Sequence, residues 1–150
     1  MSICNYNINY KTNLKIKIDK IQMATNYVSL FNEQFKEFID FIQKTFPEDS
    51  DILSAKNSLM FIRKTNPKMI MSIWKSMVTD KYGTQIEEGN IQFFLEKNYA
   101  EDAPGSLYTP TVDNTIQEIR EAIKTMSEEN KAISLKYIQN LCKLSKLYVY

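Results

Sequence analysis

The chain has 150 residues, of which 43% are hydrophobic and 25% charged, and its formal net charge is +1. This size and composition are typical of one soluble globular domain with its own core. The sequence has no apolar run near the roughly 20 residues that a membrane-spanning helix needs, so we expect neither an integral membrane protein nor a membrane partner.

Several classes of enzyme are excluded by missing residue types. Histidine is absent, which removes the histidine-dependent nucleophile systems and the common zinc motifs. The three glycines do not stand in phosphate-binding spacing, and Cys4 and Cys142 lie too far apart in sequence to form a CxxC half-site. We therefore predict a protein that is not an enzyme, with no catalytic residue, cofactor or metal site. The competing enzymatic hypothesis needs Glu33, Glu37 and the Glu87–Glu88 region to converge on a metal.

Residues 1–22 differ from the rest of the chain. Their apolar residues alternate, as is typical of a β-strand, at Tyr6, Ile8 and Tyr10 and again at Leu14, Ile16 and Ile18. A helical pattern starts near a second methionine, Met23. We therefore predict an N-terminal extension over 1–22 and a single helical domain over 23–150. The extension, with a net charge of +3, is interpreted as a strand that joins a partner sheet, as a basic arm, or as a poorly ordered segment.

The next segments have the apolar spacing of helices. From Val28 onward one stripe consists of Phe31, Phe35, Phe38, Ile39 and Ile42, and Phe46–Pro47 ends this helix. A second helix is predicted to begin at Asp49 or Ser50 and to stop before Asn66. Its predicted core residues are Ile52, Ala55, Leu59 and Ile62.

A third helix is predicted to begin at Asn66–Pro67 and to close near Gly83. Its stripe consists of Met69, Ile70, Ile73, Trp74 and Met77. Met71, which lies off that stripe, and Trp74, whose indole N–H needs a partner, also fit a partner-binding surface. The favoured interpretation is that this helix is the centre of the bundle.

Residues 90–97 predict a short helix, and residues 98–113 form the one long predicted loop, which contains Tyr99 and Tyr108. Both tyrosines are candidate partner contacts, and a mobile linker is the alternative. Two more helices are predicted, the first beginning at Thr115 behind Asn114 and the last beginning after Ser127.

The last helix is rich in lysine. Residues 131–150 contain no acid, and their bases are Lys131, Lys136, Lys143 and Lys146. These lysines form either a solvated face or a surface that contacts phosphate. Only Arg63 and Arg120 are arginine, so a nucleic acid would be bound without sequence reading.

Four strings, FPEDSDI, NPKMIMSIWKSMV, IEEGNIQFFLEKNYAED and MSEENKAISLKYIQNLCKLS, resemble a family of small helical proteins of nucleocytoplasmic large DNA viruses, the giant viruses. The resemblance covers about Val28 to Leu147. It implies a helical fold. Since residues 6–22 interleave lysine and asparagine with apolar residues, unlike a secretory signal, we also expect the protein to stay inside a cell, and with the resemblance this means the host cytoplasm or the virion. The family has no established activity, so the resemblance implies no catalytic residue.

Together these patterns predict an all-α bundle of five or six helices with an N-terminal extension. The predicted function is protein–protein interaction by a virus-encoded or virion-associated protein, through the 98–113 loop and the groove beside Trp74. The alternative is a nucleic-acid-associated accessory factor that uses the lysine face of the last helix.

Overall fold

The computed structural model describes residues 2–96 and 110–147, with side chains described for 11–23, 26–96 and 114–147. The described residues form an all-α bundle without strands, which confirms the predicted fold class. Its elements are α1 (Ser2–Thr45), α2 (Ser50–Thr65), α3 (Met69–Trp74), a π-helical segment (Lys75–Thr79), α4 (Asp80–Glu87), α5 (Ile91–Glu96), α6 (Pro110–Lys124) and α7 (Glu128–Leu147). Because α3, the π-helical segment and α4 follow one another without a break, they form one continuous rod.

Local capping explains where several helices begin. The Asp49 side chain accepts hydrogen bonds from the backbone N–H groups of Asp51 and Ile52, at 2.9 and 3.2 Å, and so satisfies two donors at the start of α2. Ser127 Oγ accepts from the backbone N–H of Asn130 at 3.2 Å, in the same way, at the start of α7. The predicted beginnings of these two helices are confirmed.

A strand was one of the interpretations left open for residues 1–22, and it is wrong for the residues described. α1 is one helix of 44 residues that runs through Met23 without a break. The described part of the chain offers no strand to pair with, so an extended segment would leave its backbone groups without partners, whereas a helix satisfies its own. The division of the chain into 1–22 and 23–150 stays a prediction.

Two further boundaries differ from the prediction. Gly83 does not close a helix but lies buried inside α4, whereas Gly89, just after α4, has a left-handed backbone at φ 93°. α6 begins at Pro110 rather than at Thr115, and a proline fits the first turn because the missing N–H has no acceptor there. A Cβ at Gly83 would meet Lys146 Cε at 3.5 Å, an ordinary van der Waals contact, so the packing beside α7 does not itself require a glycine.

The core is built on aromatic contacts between α1 and Trp74. The Trp74 ring lies 5.9 Å from Phe35 and 6.5 Å from Phe31, both edge-on, and 5.9 Å from Phe94 of α5. Trp74 is 2% exposed, and Phe31 is fully buried. These contacts join α1, α3 and α5, and the aromatic pairs add to the burial of apolar surface.

α7 runs antiparallel to α1. Asn140 Nδ2 donates to Gln34 Oε1 at 3.3 Å, whereas the earlier residue Tyr137 stacks on the later residue Phe38, with ring centroids 5.3 Å apart. A buried hydroxyl pair, Thr79 and Ser145, at 2.7 Å joins the π-helical segment to α7. α7 therefore holds both α1 and the central rod.

Polar contacts close two other junctions. Arg120 of α6 is 4% exposed, and its Nε and Nη2 donate to the Leu95 carbonyl at 3.2 and 2.7 Å, which satisfies an acceptor at the end of α5. Between α1 and α2, Asp40 lies 2.8 Å from Lys56 and 3.0 Å from Lys36. Burial raises the pKa of the Asp40 carboxyl, but hydrogen bonds and charge from Lys56 and Lys36 outweigh it, so the pKa is lowered overall.

Replacing Trp74 with alanine is expected to lower the free energy of unfolding by about 3–5 kcal/mol, because a large buried ring leaves a cavity. Urea denaturation measures the loss, and Phe61→Ala, at a ring that is 67% exposed, is the control. The native tryptophan should emit at short wavelength and resist aqueous quenchers. Long-wavelength, readily quenched emission would contradict the burial.

Asp40→Asn is expected to lower the free energy of unfolding by about 1 kcal/mol at pH 7, because Lys56 and Lys36 lose their anion. A carboxyl whose pKa is lowered in the folded state stabilises the folded protein at pH values above its unfolded pKa of about 3.9. This contribution is lost as the pH falls through the folded pKa. The difference between variant and wild type should therefore vanish in acid. The exposed Asp19→Asn is the control, and an equal loss in that variant would argue against a specific contribution from Asp40.

Candidate protein interface

The part of α1 formed by residues 11–23, here called the arm, has no buried side chain. Its large apolar side chains are among the most exposed large apolar side chains that the structure describes: Leu14 44%, Ile16 48%, Ile18 44%, Ile21 60% and Met23 52%. The first buried side chain of α1 that the structure describes is Val28. At a rise of 1.5 Å per residue, Lys11 lies about 25 Å along the helix from Val28.

One stripe of α1 links the arm to the core. Its residues follow one another at alternating intervals of four and three: Leu14, Ile18, Ile21, Thr25, Val28, Asn32, Phe35, Ile39 and Ile42. This is the spacing by which helices pack along a shared seam in coiled coils, and we call the stripe the α1 seam. From Val28 onward its members are buried in the bundle, whereas Leu14 and Ile18 face solvent.

The bundle reaches only the later part of this seam. Asn32 Nδ2 donates to the Pro67 carbonyl at 2.8 Å, so the turn before α3 lies at the level of Asn32. Because α7 is antiparallel and Asn140 lies opposite Gln34, the described end of α7 at Leu147 falls opposite roughly residue 27. Leu14 and Ile18 therefore lie beyond both elements.

The arm is basic as well as apolar. It contains Lys11, Lys15, Lys17 and Lys20 against the single acid Asp19, a net charge of +3. In the heptad that defines the α1 seam, Lys15 and Lys17 take the two positions that flank it. Ile16 and Met23, seven residues apart, lie on the opposite side of the helix. Apolar side chains thus occupy two sides of the arm, with lysines between them.

The described residues also form a groove of about 430 Å³ between α1 and α7. It is lined by Leu30, Glu33, Gln34, Glu37, Asn140, Lys143 and Leu144. Its walls mix two leucines with opposite charges, and Glu33 also forms an ion pair with Arg63 of α2. Leu30, which is 53% exposed, extends the apolar row of Ile16 and Met23 to the edge of this groove.

The predicted partner surface is not formed by Met71 and Trp74. Met71 is fully buried and Trp74 is 2% exposed, which agrees with the core interpretation of this helix. Ile70 and Ile73 are buried as well, so α3 is packed on several sides and Met71 faces the core although it lies off the stripe. Tyr99 and Tyr108 lie outside the described residues.

The lysines of the last helix stand among carboxylates. Lys131 lies 3.4 Å from Glu128, and Lys146 forms an ion pair with Glu87 of α4. Lys143 lines the groove that also contains Glu33, and Lys136 is exposed. These four residues therefore form an interrupted basic surface rather than a uniform one.

Two carboxylates of the enzymatic hypothesis pair with separate bases. Glu33 pairs with Arg63, and Glu87 pairs with Lys146. Within the residues that the structure describes, no three histidine, cysteine, aspartate or glutamate side chains are grouped to hold a metal ion.

The Cys142 thiol is fully buried. Burial raises its pKa, and the neighbouring Thr79 and Trp74 side chains offset only part of this effect. A thiol with a raised pKa carries little thiolate, which makes Cys142 a packing residue rather than a nucleophile.

No protein-family model, curated protein or solved structure matches the chain. None of the described helices combines the length and the apolarity that crossing a membrane requires. The resemblance to the viral family stays a prediction from the residues that carry it.

The helical structure of the arm is the feature that the sequence analysis missed. Residues 14, 16 and 18 alternate like a strand, but residues 14, 18 and 21 have helical spacing that continues in register to Val28. The continued register was the available signal for a helix.

Ile18 and Ile39 occupy equivalent heptad positions of the α1 seam and provide a matched pair. Ile18→Ser is expected to change the free energy of unfolding by no more than about 0.5 kcal/mol, because the side chain is exposed. Ile39→Ser should lower it by more than about 2 kcal/mol, because Ile39 is fully buried. Urea denaturation of both variants gives the comparison, and equal losses would mean that the arm belongs to the folded core.

Proposed function

We propose that this is a non-enzymatic protein that works by binding another protein, with the arm as its contact surface. The observation that supports the proposal is the exposure of Leu14 and Ile18 on a helix that extends past its own bundle. Contiguous exposed apolar side chains rimmed by charge commonly mark interaction sites. An amphipathic helix presented in this way is a common mode of recognition between proteins.

The resemblance to the giant-virus family supports a viral setting for this interaction. Its strings lie in residues 46–145, outside the arm. In this proposal the bundle is the shared scaffold and the arm attaches it to another protein of the virion or of its assembly. The groove between α1 and α7 adds a second surface, since Leu30 connects the two.

A nucleic-acid-associated factor is the second candidate. The observation that favours it is the exposure of Lys136 and Lys143, which are seven residues apart on one side of α7. Two observations weigh against it. Arg63 is held by Glu33, and Arg120 is buried against Leu95, so neither is well placed to contact phosphate.

Leu14→Ser combined with Ile18→Ser is expected to abolish capture of the partner by the tagged chain without unfolding the bundle. Wild type, this variant and the control Leu53→Ser, at an exposed leucine of α2, are compared by affinity capture and mass spectrometry at low and high salt. Proteins retained at high salt by the wild type and the control, and lost by the arm variant, are the expected result.

Two outcomes would count against the proposal. Identical sets of proteins captured by all three chains would remove the arm from the interaction. Capture of nucleic acid that falls steeply as salt rises would favour the second candidate, because phosphate contacts release counterions on binding. In that case Lys136→Gln with Lys143→Gln should reduce the salt dependence.

A further inference from the structure

We infer that the arm binds an acidic helix of a partner protein, which packs along the exposed part of the α1 seam. This inference rests on the proposed function and names the class of partner. It is supported by the continuity of the seam with the core, by the lysines that flank it, and by the arrangement of apolar residues on two sides of the arm.

The seam favours a helical partner. Val28, Phe35 and Ile39 already pack helices of the bundle against α1 at intervals of seven and four residues. Ile18 and Leu14 continue the same intervals without a shift in register. A helix that packs against them would use the geometry that the bundle uses farther along α1, because the same rows of side chains are presented.

The flanking charges favour acid on that helix. Lys15 and Lys17 lie on either side of the seam, where charged residues of paired helices meet. Lys11, seven residues before Ile18, itself occupies a position of the α1 seam. Glutamates at the flanking positions of a partner would neutralise these lysines. Such charge pairs contribute more to the choice of partner than to the affinity of the complex.

A second copy of the chain fits less well. Two arms would each bring a net charge of +3 to one interface. In a parallel pair, Lys11 of one arm would meet Lys11 of the other at a core position, and like charges placed together oppose association. The charges of the arm therefore disfavour pairing of two copies of the chain through their arms.

A lipid surface also fits less well. Helices that lie in a membrane interface place their apolar residues on one face and their charges on the other. In the arm, Ile16 and Met23 lie opposite the seam and are 48% and 52% exposed. A protein that contacts the arm from more than one side can cover both rows, whereas a flat surface cannot.

The test uses the full chain and two labelled peptides of three heptads each. Both have leucine at the seam positions; one has glutamate and the other lysine at the flanking positions. Like charge keeps each peptide from pairing with itself. In fluorescence anisotropy, the glutamate peptide should bind at least about tenfold more tightly than the lysine peptide, and high salt should narrow the difference.

Three variants sharpen the comparison. Leu14→Ser with Ile18→Ser should weaken binding of the glutamate peptide by at least about tenfold, and Leu53→Ser should not change it. Lys15→Glu with Lys17→Glu should reverse the preference in favour of the lysine peptide. That reversal separates charge recognition from a general affinity for apolar helices.

The inference would be overturned if the two peptides bound equally tightly or if neither peptide bound. So would dimerisation of the chain in sedimentation that Ile18→Ser abolishes, which would assign the arm to a second copy. Binding to vesicles of mixed phosphatidylcholine and phosphatidylserine that the arm variant loses would assign it to lipid. If arm-dependent protein capture survives while the peptide test fails, only this inference fails; capture that does not depend on the arm would remove the proposed function.

Discussion

The packing of α1 against Trp74 is the contact on which the rest of the structure depends. Phe31 and Phe35 meet the indole edge-on, and Phe94 brings α5 to the same ring. α7 then lies antiparallel along α1, where Tyr137 stacks on Phe38. Because half of α1 is fixed in this way, the direction in which the arm leaves the bundle is set by the core and not by the arm itself.

The fold was predictable where a local rule decides the outcome. Asp49 could be placed at the start of α2 because a side-chain cap needs only the next turn, and Ile39 could be placed in the core because its stripe is long. Gly83 was placed wrongly, because a glycine suits a helix end but is also tolerated inside a helix, and its burial within α4 comes from tertiary packing that no local rule describes. The strand interpretation of the first residues, one of those left open, is wrong for a related reason. Alternation shows which residues are apolar, but not whether a strand exists for them to pair with.

The candidate site was less predictable than the fold. The lysines of α7 suggested a phosphate-binding face, but Lys146 meets Glu87 across the fold, and no local pattern indicates such a pair. Met71 suggested a surface because it lies off the stripe of α3, but a helix packed on several sides leaves no such surface. The basic character of the first residues was visible in the sequence. Their role as a helical extension of the seam follows only from where the bundle ends.

The π-helical segment sets the rotation of α4 relative to α3 about the axis of the central rod. Its hydrogen bonds span one residue more than those of an α-helix, as the bond from Asp80 N–H to the Lys75 carbonyl shows. With that extra residue in place, Trp74 of α3 and Ile86 of α4 are both buried in the core. One α-helical residue corresponds to a rotation of about 100°. An insertion or deletion of one residue at 75–79 would therefore turn one half of the rod by about that angle relative to the other and move its apolar face away from the core.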